Sequence, residues 1–360
     1  MRPFLFTLLT LLLSQTGFSA PAEEVKDQKP DWQKFFKPPP PATETEHAEK
    51  KIQDLSEKNS RPEDLKQQGQ LLYTLGRFTE AEEVFQRILH VHPENLEILL
   101  ELAKVYLALE KPQKSFELLN QAQILSGKRG SLSEPFQLTY RYLLAISSLQ
   151  NHDLENARAV LSDLIEQNLE FIPAYTALAK SFIDQEKYEL AEFILRKALK
   201  VSENHSSVLN LMGVIKFKTD EVQEAQRFFA LSLEKGSTVP AMINKAVIHL
   251  FYKEFALCQT VLDQAIALKP FSSEPYLVLG ILLAKQGLAK EAEIAFQKSI
   301  QLSPESGSAR YNLAVHYLNQ NTNSTQAIQL LSEALQTKTD SDLNDFAQTY
   351  LRGLKNKRTL

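Results

Sequence analysis

Apolar positions between residues 62 and 339 recur at helical spacing, in short segments that alternate with turns. In the first segment Leu65, Gly69 and Leu72 are separated by three or four positions, so they share one face of a helix. A turn at residues 75–78 follows. The next segment has its own apolar face, formed by Ala81, Phe85 and Ile88. The pattern predicts a pair of short amphipathic helices, and it recurs eight times along the chain.

Small residues keep a nearly constant spacing of 34 positions through this region. The first series consists of Gly69, Ala103, Ala145, Ala179, Gly213, Ala246, Gly280 and Ala314. A second series lies twelve positions later, one place further at its last member, and consists of Ala81, Ser115, Ala157, Ala191, Ala225, Cys258, Ala292 and Ala327. Such self-similarity predicts a repeat array in which each pair of helices is buried by its neighbours. We expect the two helices of a pair to cross closely at these small residues.

The predicted pairs start at regular places along the chain, and these are Pro62, Leu96, Leu138, Ile172, Ser206, Val239, Ser273 and Gly307. One interval between the small residues is 42 positions instead of 34. The additional residues lie at 127–135, where two glycines and a proline predict a loop.

The framework residues of several pairs resemble the tetratricopeptide repeat. The pair that starts near residue 172 matches the pattern of that family at Tyr175, Leu178, Ala179, Phe182, Tyr188, Ala191, Leu195 and Ala198. A later pair matches it at Tyr276, Leu279, Gly280, Gly287, Ala292, Phe296 and Pro304. The resemblance implies an all-α fold, a right-handed superhelix (α-solenoid) of about eight hairpins over residues 62–339. We expect residues 340–360 to form a capping helix and a tail.

The same resemblance places the first helix of each pair on a concave surface that binds partner proteins. The residues that it directs into this groove are Asn210, Phe217, Ile243, Asn244, Val247, Leu250, Phe251, Leu277, Ile281, Tyr311, Asn312 and Val315. This mostly apolar lining suits an amphipathic helix, or an extended segment held by the asparagines. The alternative is that a tight superhelix buries about half of these side chains on itself. A carboxylate clamp is not expected, because Lys66 has Gln70 where asparagine is the rule.

Composition and charge argue against nucleic acid as the main partner, since the net charge is −4 and basic residues are not clustered. No sequence motif for a hydrolase, a phosphate-binding loop or a zinc site is present. We therefore expect no enzymatic activity, no catalytic or metal-binding residues and no cofactor. The single cysteine, Cys258, excludes an intramolecular disulfide.

The first 61 residues differ from the array. Residues 1–22 have the layout of a secretory signal peptide, with an apolar run from Pro3 to Leu13 and small residues at the cleavage region. That run is too short to span a bilayer, so no integral span is expected after cleavage. Residues 23–61 are charged and rich in proline, and we interpret them as a disordered linker. The linker contains the segment Trp32–Phe36, whose aromatic side chains could dock on a partner or on another copy of the chain.

These features together indicate an exported tetratricopeptide repeat protein of bacterial type that acts as a non-enzymatic scaffold for one or more proteins of the cell envelope. The periplasm is the favoured location, with a eukaryotic secretory lumen as the alternative. A second hypothesis is a structural assembly factor that self-associates through Trp32–Phe36.

The leader makes a direct prediction. When the full sequence is expressed in a bacterium, the exported protein is expected to begin at Ala20 or Glu23, because small residues precede both positions. Intact-mass measurement of the periplasmic fraction distinguishes the two cleavage sites. A chain that stays in the cytoplasm with Met1 to Ala22 attached would contradict the prediction.

Overall fold

The structure is a computed structural model that describes residues 43–57, 61–129, 133–236, 238–304, 306–320, 322–336, 347–349 and 351–352. The predicted signal peptide at 1–22, the segment Trp32–Phe36 and most of the predicted C-terminal cap lie outside the described residues. Within the cap, residues 347–349 and 351–352 are helical and Ala347 is buried.

Seventeen helices form the described part of the chain, which contains no strand. The chain divides into two compact units, and the N-terminal unit is Ala42–Ser237. It contains α1 (Thr43–Glu57), α2 (Pro62–Leu75), α3 (Phe78–Val91), α4 (Leu96–Ala108), α5 (Pro112–Arg129), α6 (Glu134–Gln150), α7 (Leu154–Gln167), α8 (Ile172–Ile183), α9 (Tyr188–Val201), α10 (Ser206–Lys218) and α11 (Val222–Lys235). The C-terminal unit includes Thr238–Leu360. Its helices are α12 (Val239–Phe251), α13 (Phe255–Leu268), α14 (Ser273–Lys285), α15 (Ala289–Leu302), α16 (Gly307–Asn319) and α17 (Ser324–Gln336).

From α2 onward each helix packs most extensively against one neighbour, so the helices form the pairs α2/α3 through α16/α17. Eight pairs are therefore present among the residues described, five in the N-terminal unit and three in the C-terminal unit. Seven of the eight first helices begin at the residue that the sequence predicts. The all-α class and the packing of consecutive helix pairs as in a tetratricopeptide solenoid are confirmed. No helix in the described ranges combines the length and the apolar character that crossing a membrane requires.

In seven of the eight described pairs, the turn between the two helices has one residue with left-handed backbone geometry. Only two of these residues are glycines, Gly76 and Gly287, whereas Glu110, His152, Glu186, Asp220 and Lys253 adopt φ values of 58° to 64°. The next residue closes the helix, as where the Lys187 N–H donates to the Phe182 carbonyl at 2.9 Å. A left-handed conformation costs a non-glycine residue roughly 1 kcal/mol. The packing of the two helices therefore holds the turn, and the absence of glycine in the sequence does not prevent it.

The helices of a pair cross where a small residue of the first helix meets a large residue of the second, sixteen positions later. A Cβ atom added at Gly69, Gly213 or Gly280 would lie 2.5 to 2.6 Å from a phenylalanine ring. The rings belong to Phe85, Phe229 and Phe296, none of which has exposed surface. Only glycine leaves room for a phenyl ring at this position.

Pairs with alanine at the crossing have leucine in place of phenylalanine. Ala103 lies in one apolar cluster with Leu119, and Ala145 lies in another with Leu161. The remaining pairs follow the same rule with Ala179 and Leu195, Ala246 and Leu262, and, one position later, Ala314 and Leu331. All of these side chains are fully buried. The sizes of the two residues thus compensate within each pair.

Part of the predicted linker is a helix. Helix α1 packs on α2 and buries Ile52 and Leu55, and Glu49 forms an ion pair with Arg77 at 2.7 Å. The spacing of Ala48, Ile52 and Leu55 matches that of Ala81, Phe85 and Ile88 within the second helix of the first pair. Helix α1 therefore has the position and pattern of the second helix of a pair, although the described residues contain no first helix before it. It covers the start of the array. The prediction of a linker is wrong for residues 43–57.

The long interval at residues 127–135 is also mostly helical. Helix α5 continues to Arg129 and has 18 residues, and α6 begins at Glu134 and has 17. The other helices of the pairs have 12 to 14 residues. Pro135 occupies the first turn of α6, where a helix tolerates proline because no hydrogen bond is lost. The additional residues thus lengthen two helices, so the loop prediction is wrong for residues 127–129 and 134–135, while residues 130–132 lie outside the described residues.

The size rule predicts a strong coupling between residues 213 and 229. Gly213→Ala should lower the free energy of unfolding by about 1 to 3 kcal/mol, because the Phe229 ring has no room to move. Phe229→Leu alone should cost a similar amount through a cavity. The double variant has the same two residue types as the natural pair Ala179 and Leu195. We therefore expect its loss of unfolding free energy to be smaller than the sum of the two single losses by at least about 1 kcal/mol. Urea unfolding of the four proteins measures this coupling.

Gly127→Ala is the matched control, since a Cβ at this helical position meets no atom within 4 Å. Alanine there should raise stability by about 0.5 to 1 kcal/mol through helix propensity. Equal effects of the two glycine substitutions, or additive effects at 213 and 229, would contradict the size rule.

Candidate binding surface on the first helices

The first helices form the more closely spaced layer of each unit. In the N-terminal unit each first helix from α2 to α8 contacts the next one, up to α10, and in the C-terminal unit α12 contacts α14 and α14 contacts α16. No two second helices of the described pairs contact each other to a comparable extent. The layer with the closer spacing is the inner one, so in each unit the free faces of the first helices lie on its inner side.

The predicted groove residues all lie on first helices, but most of them are buried. Phe251 is 43% exposed, and Phe217 is half-buried. The other ten have less than 9% of their surface exposed, and they are Asn210, Ile243, Asn244, Val247, Leu250, Leu277, Ile281, Tyr311, Asn312 and Val315. The expectation of an open apolar lining is corrected accordingly, because neighbouring first helices pack through these side chains. Partner binding by this set stays a prediction.

Asn312 illustrates why the asparagines offer little to a partner in this conformation. Its side chain is fully buried, and its Nδ2 donates to the Ser308 carbonyl one turn earlier at 2.8 Å. The amide thus bonds within its own helix. Asn210 and Asn244 are 2% and 1% exposed. These amides lie within the array rather than on its surface.

A connected group of accessible polar side chains lies on the first helices of the first three repeats. Lys66 of α2 forms an ion pair with Glu97 of α4 at 2.7 Å. The hydrogen bond to Glu97 is the main reason that the pKa of Lys66 is raised. Gln70 Nε2 donates to Glu101 at 3.1 Å, and Lys104 pairs with the same carboxylate at 2.6 Å. Lys66 is thus paired with a carboxylate of the neighbouring first helix.

Two tyrosines complete this surface. Burial raises the pKa of Tyr73, to which Glu101 also contributes, and burial raises the pKa of Tyr142 to about 12, with Tyr73 as a further cause. Tyr142 is packed edge-on against Phe171, with the ring centroids 5.4 Å apart. Neither phenol forms a hydrogen bond with another described residue, and both are only half-buried. Each hydroxyl can therefore donate to and accept from a ligand.

We call this set the inner polar face, and it consists of Lys66, Gln70, Tyr73, Glu101, Lys104 and Tyr142. The sequence analysis placed the groove in the last four repeats and missed it. A signal for it exists, since Gln70 and Lys104 directly follow Gly69 and Ala103 of the small-residue series. The position after the small residue is the exposed Lys180 in the fourth repeat, and in the last four repeats it is buried and apolar, as with Val214, Val247 and Ile281.

No group of three or more His, Cys, Asp or Glu side chains in the described ranges is placed to hold a metal ion. Burial raises the pKa of the Cys258 thiol to about 12, so the reactive thiolate is disfavoured. Burial also lowers the pKa of His316, whose Nε2–H donates to the Ala289 carbonyl at 2.9 Å.

Comparison with known proteins gives the same class of fold. Tetratricopeptide repeat models match residues 66–131, 172–205 and 273–306. The chain therefore contains tetratricopeptide repeats. The APC/C hetero-tetramer Cut9-Hcn1 contains a chain that superposes with a TM-score of 0.53 at 18% identity, over 85% of this chain and 59% of that one. This likeness concerns the fold alone.

Similar sequences belong to larger proteins. The chain is 24% identical to human protein O-mannosyl-transferase TMTC3 over 289 residues, which are 75% of this chain and 32% of that protein. It is 22% identical to the Drosophila melanogaster BBSome complex member BBS4 homolog over 66% of this chain and 41% of that protein. It is 24% identical to Dictyostelium discoideum anaphase-promoting complex subunit 7 over 58% of this chain and 35% of that protein. The chain thus spans about a third to two fifths of these relatives.

The raised pKa of Tyr142 predicts a change of stability with pH. Between the ordinary tyrosine pKa of about 10 and the value of about 12, the folded chain keeps a proton that the unfolded chain loses. The free energy of unfolding should therefore fall as pH rises through this window. Tyr142→Phe removes this contribution. Urea unfolding at pH 9 and pH 11 should show a smaller fall for the variant, and an equal fall would contradict the burial of this phenol.

Proposed function

We propose that this chain is a non-enzymatic, protein-binding scaffold of the cell envelope, which holds a segment of a partner protein along the inner faces of its first helices. Tetratricopeptide repeat proteins generally mediate contacts between proteins. Two of the relatives are, by name, components of multi-protein complexes. The envelope location rests on the leader pattern of residues 1–22, and the periplasm is the compartment that it favours.

The inner polar face is the observation that carries the proposal. Tyr73 and Tyr142 present hydroxyl groups, and Gln70 and Lys104 supply donors that already converge on Glu101. An extended peptide has a backbone donor and acceptor at nearly every residue, and these must be satisfied when it leaves water. A surface with phenols, an amide and paired charges can satisfy both kinds of group. The ligand of this face is therefore a peptide segment rather than a small metabolite.

Each unit also has an aromatic side chain on a first helix that provides an apolar anchor for a partner segment bound to that unit. Phe217 is half-buried at the end of α10. Phe251 is exposed at the end of α12, where its ring lies 5.3 Å from that of Tyr252. Of the predicted groove residues, these two keep accessible apolar surface, and aromatic anchors are common among residues that dominate binding. Their role as contacts for a partner is part of the proposal.

The sharpest test removes only the two hydroxyl groups of the inner polar face. Tyr73→Phe combined with Tyr142→Phe keeps the ring packing and should weaken partner retention about tenfold, since each lost hydrogen bond costs about 0.5 to 1.5 kcal/mol. Tyr317→Phe is the matched control, because its hydroxyl bonds Glu293 at 2.7 Å outside the inner polar face. The measurement is quantitative mass spectrometry of envelope proteins that co-purify with each full chain.

A second variant tests the aromatic anchor. Phe251→Asp should reduce partner retention without unfolding the chain, because Phe251 is 43% exposed whereas the neighbouring Leu250 is only 2% exposed. Val91→Asp is its control, since Val91 is an exposed residue at the end of a second helix. The proposal would be overturned if the parent, the Tyr73→Phe, Tyr142→Phe variant and the Phe251→Asp variant all retained every co-purifying protein in equal amounts.

A further inference from the structure

Helix α9 has two large apolar residues, Leu190 and Phe193, at outer positions where α13 and α15 have one each, Leu257 and Ile294, and the other second helices have none. It packs into the array through Ala191, Leu195 and Ala198, which have no exposed surface. On its opposite side Leu190 is 49%, Phe193 57% and Val201 40% exposed. Lys197 and Lys200 lie on the same side, since the helical spacing aligns the five residues in one stripe. We call Leu190, Phe193, Lys197, Lys200 and Val201 the α9 outer face.

The cations of the α9 outer face have no acidic partner. Lys197 Nζ lies 4.6 Å from the centroid of the Phe193 ring, and neither Lys197 nor Lys200 forms an ion pair with a described residue. The acidic residues of the same helix do not pair with these two lysines. Glu192 bonds Arg196 at 2.6 Å and Lys216 at 3.4 Å, and Glu189 lies in the first turn. The last two turns of the face are therefore apolar and cationic.

The framework of the repeat does not account for this composition. The positions equivalent to Leu190 and Phe193 are Glu80 and Glu83 in α3, and Glu224 and Arg227 in α11. Glutamate at these positions keeps the outer surface of the array in contact with water. Two large apolar residues there leave contiguous apolar surface exposed, which in a soluble domain marks an interaction site.

We propose that the α9 outer face is a second docking site, separate from the inner polar face, and that it binds an acidic amphipathic helix of a partner protein. The twelve residues from Leu190 to Val201 correspond to about 18 Å of helix, or a little over three turns. A partner helix of that length would place its apolar stripe against Leu190, Phe193 and Val201. Asp or Glu beside that stripe would pair with Lys197 and Lys200, which now lack an anion.

Two other occupants fit the face less well. A second copy of α9 packed antiparallel across a two-fold axis would bring Lys197 against Phe193 and Lys200 against Leu190, so both lysines of each copy would lie against apolar side chains, with Glu189 at the edge of the face as the nearest acid. An anionic membrane would have to approach the second helices as a broad surface. Glu80 and Glu83 on α3 and Glu234 on α11 would then oppose it. A single partner helix needs to contact only α9.

The test uses the full chain and two synthetic amphipathic peptides that share one leucine stripe, one flanked by glutamate and one by lysine. Fluorescence anisotropy should show at least about tenfold tighter binding of the acidic peptide. Lys197→Glu with Lys200→Glu should reverse this preference, and Phe193→Ser should weaken the acidic peptide about tenfold. Lys235→Glu on α11 is the matched control and should change nothing. All four positions are exposed, so circular dichroism melting should show that the fold is retained.

Tyr73→Phe with Tyr142→Phe should leave the binding of the acidic peptide unchanged, which separates this site from the inner polar face. The proposal is overturned if the parent does not prefer the acidic peptide, or if the preference survives the charge reversal. It is also overturned if phosphatidylglycerol vesicles bind the parent and not the Lys197→Glu, Lys200→Glu variant while the acidic peptide binds neither.

Discussion

Each helix pair depends on the distance at which its two backbones cross, and one contact sets that distance. A glycine against a phenylalanine and an alanine against a leucine occupy similar total volume, so both combinations give a crossing of the same kind. The constancy of this contact lets one hairpin follow another without distortion. The second series of small residues, from Ala81 to Ala327, is fully buried as well. The array is thus built from one packing solution with two sets of side chains.

The same packing decides where a partner can bind. First helices lie close to each other within each unit, so a large apolar side chain on that layer tends to be covered by its neighbour, as Val247 and Ile281 are. Polar groups remain accessible where repeats carry Gln70, Tyr73 and Lys104 instead. The outer side of the second helices has fewer neighbours, and there Phe193 stays exposed. Inner contacts would therefore be mainly polar, while the apolar surface of α9 faces outward.

The sequence was sufficient to predict the fold class, the pairing of helices and the start of seven first helices, because these follow from the spacing of Gly69, Ala103 and their equivalents. The burial of the predicted groove was harder to anticipate. Exposure of Ile243 or Leu277 depends on how closely neighbouring first helices approach, which the periodicity of one helix does not specify. Helix α1 was missed because its apolar pattern is limited to Ala48, Ile52 and Leu55. The loop near residue 130 was overestimated because glycine and proline tolerate helix ends.

The crossing contact also bears on how such a chain can lengthen during evolution. The two residues that must agree in size lie sixteen positions apart within one hairpin. Duplication of a whole hairpin keeps a matched set together, whereas recombination inside the turn could join a glycine helix to a leucine helix and leave a void. It could equally join an alanine helix to a phenylalanine helix and create a clash. Gene segments that end between hairpins are therefore the units that such a lineage can copy or exchange freely.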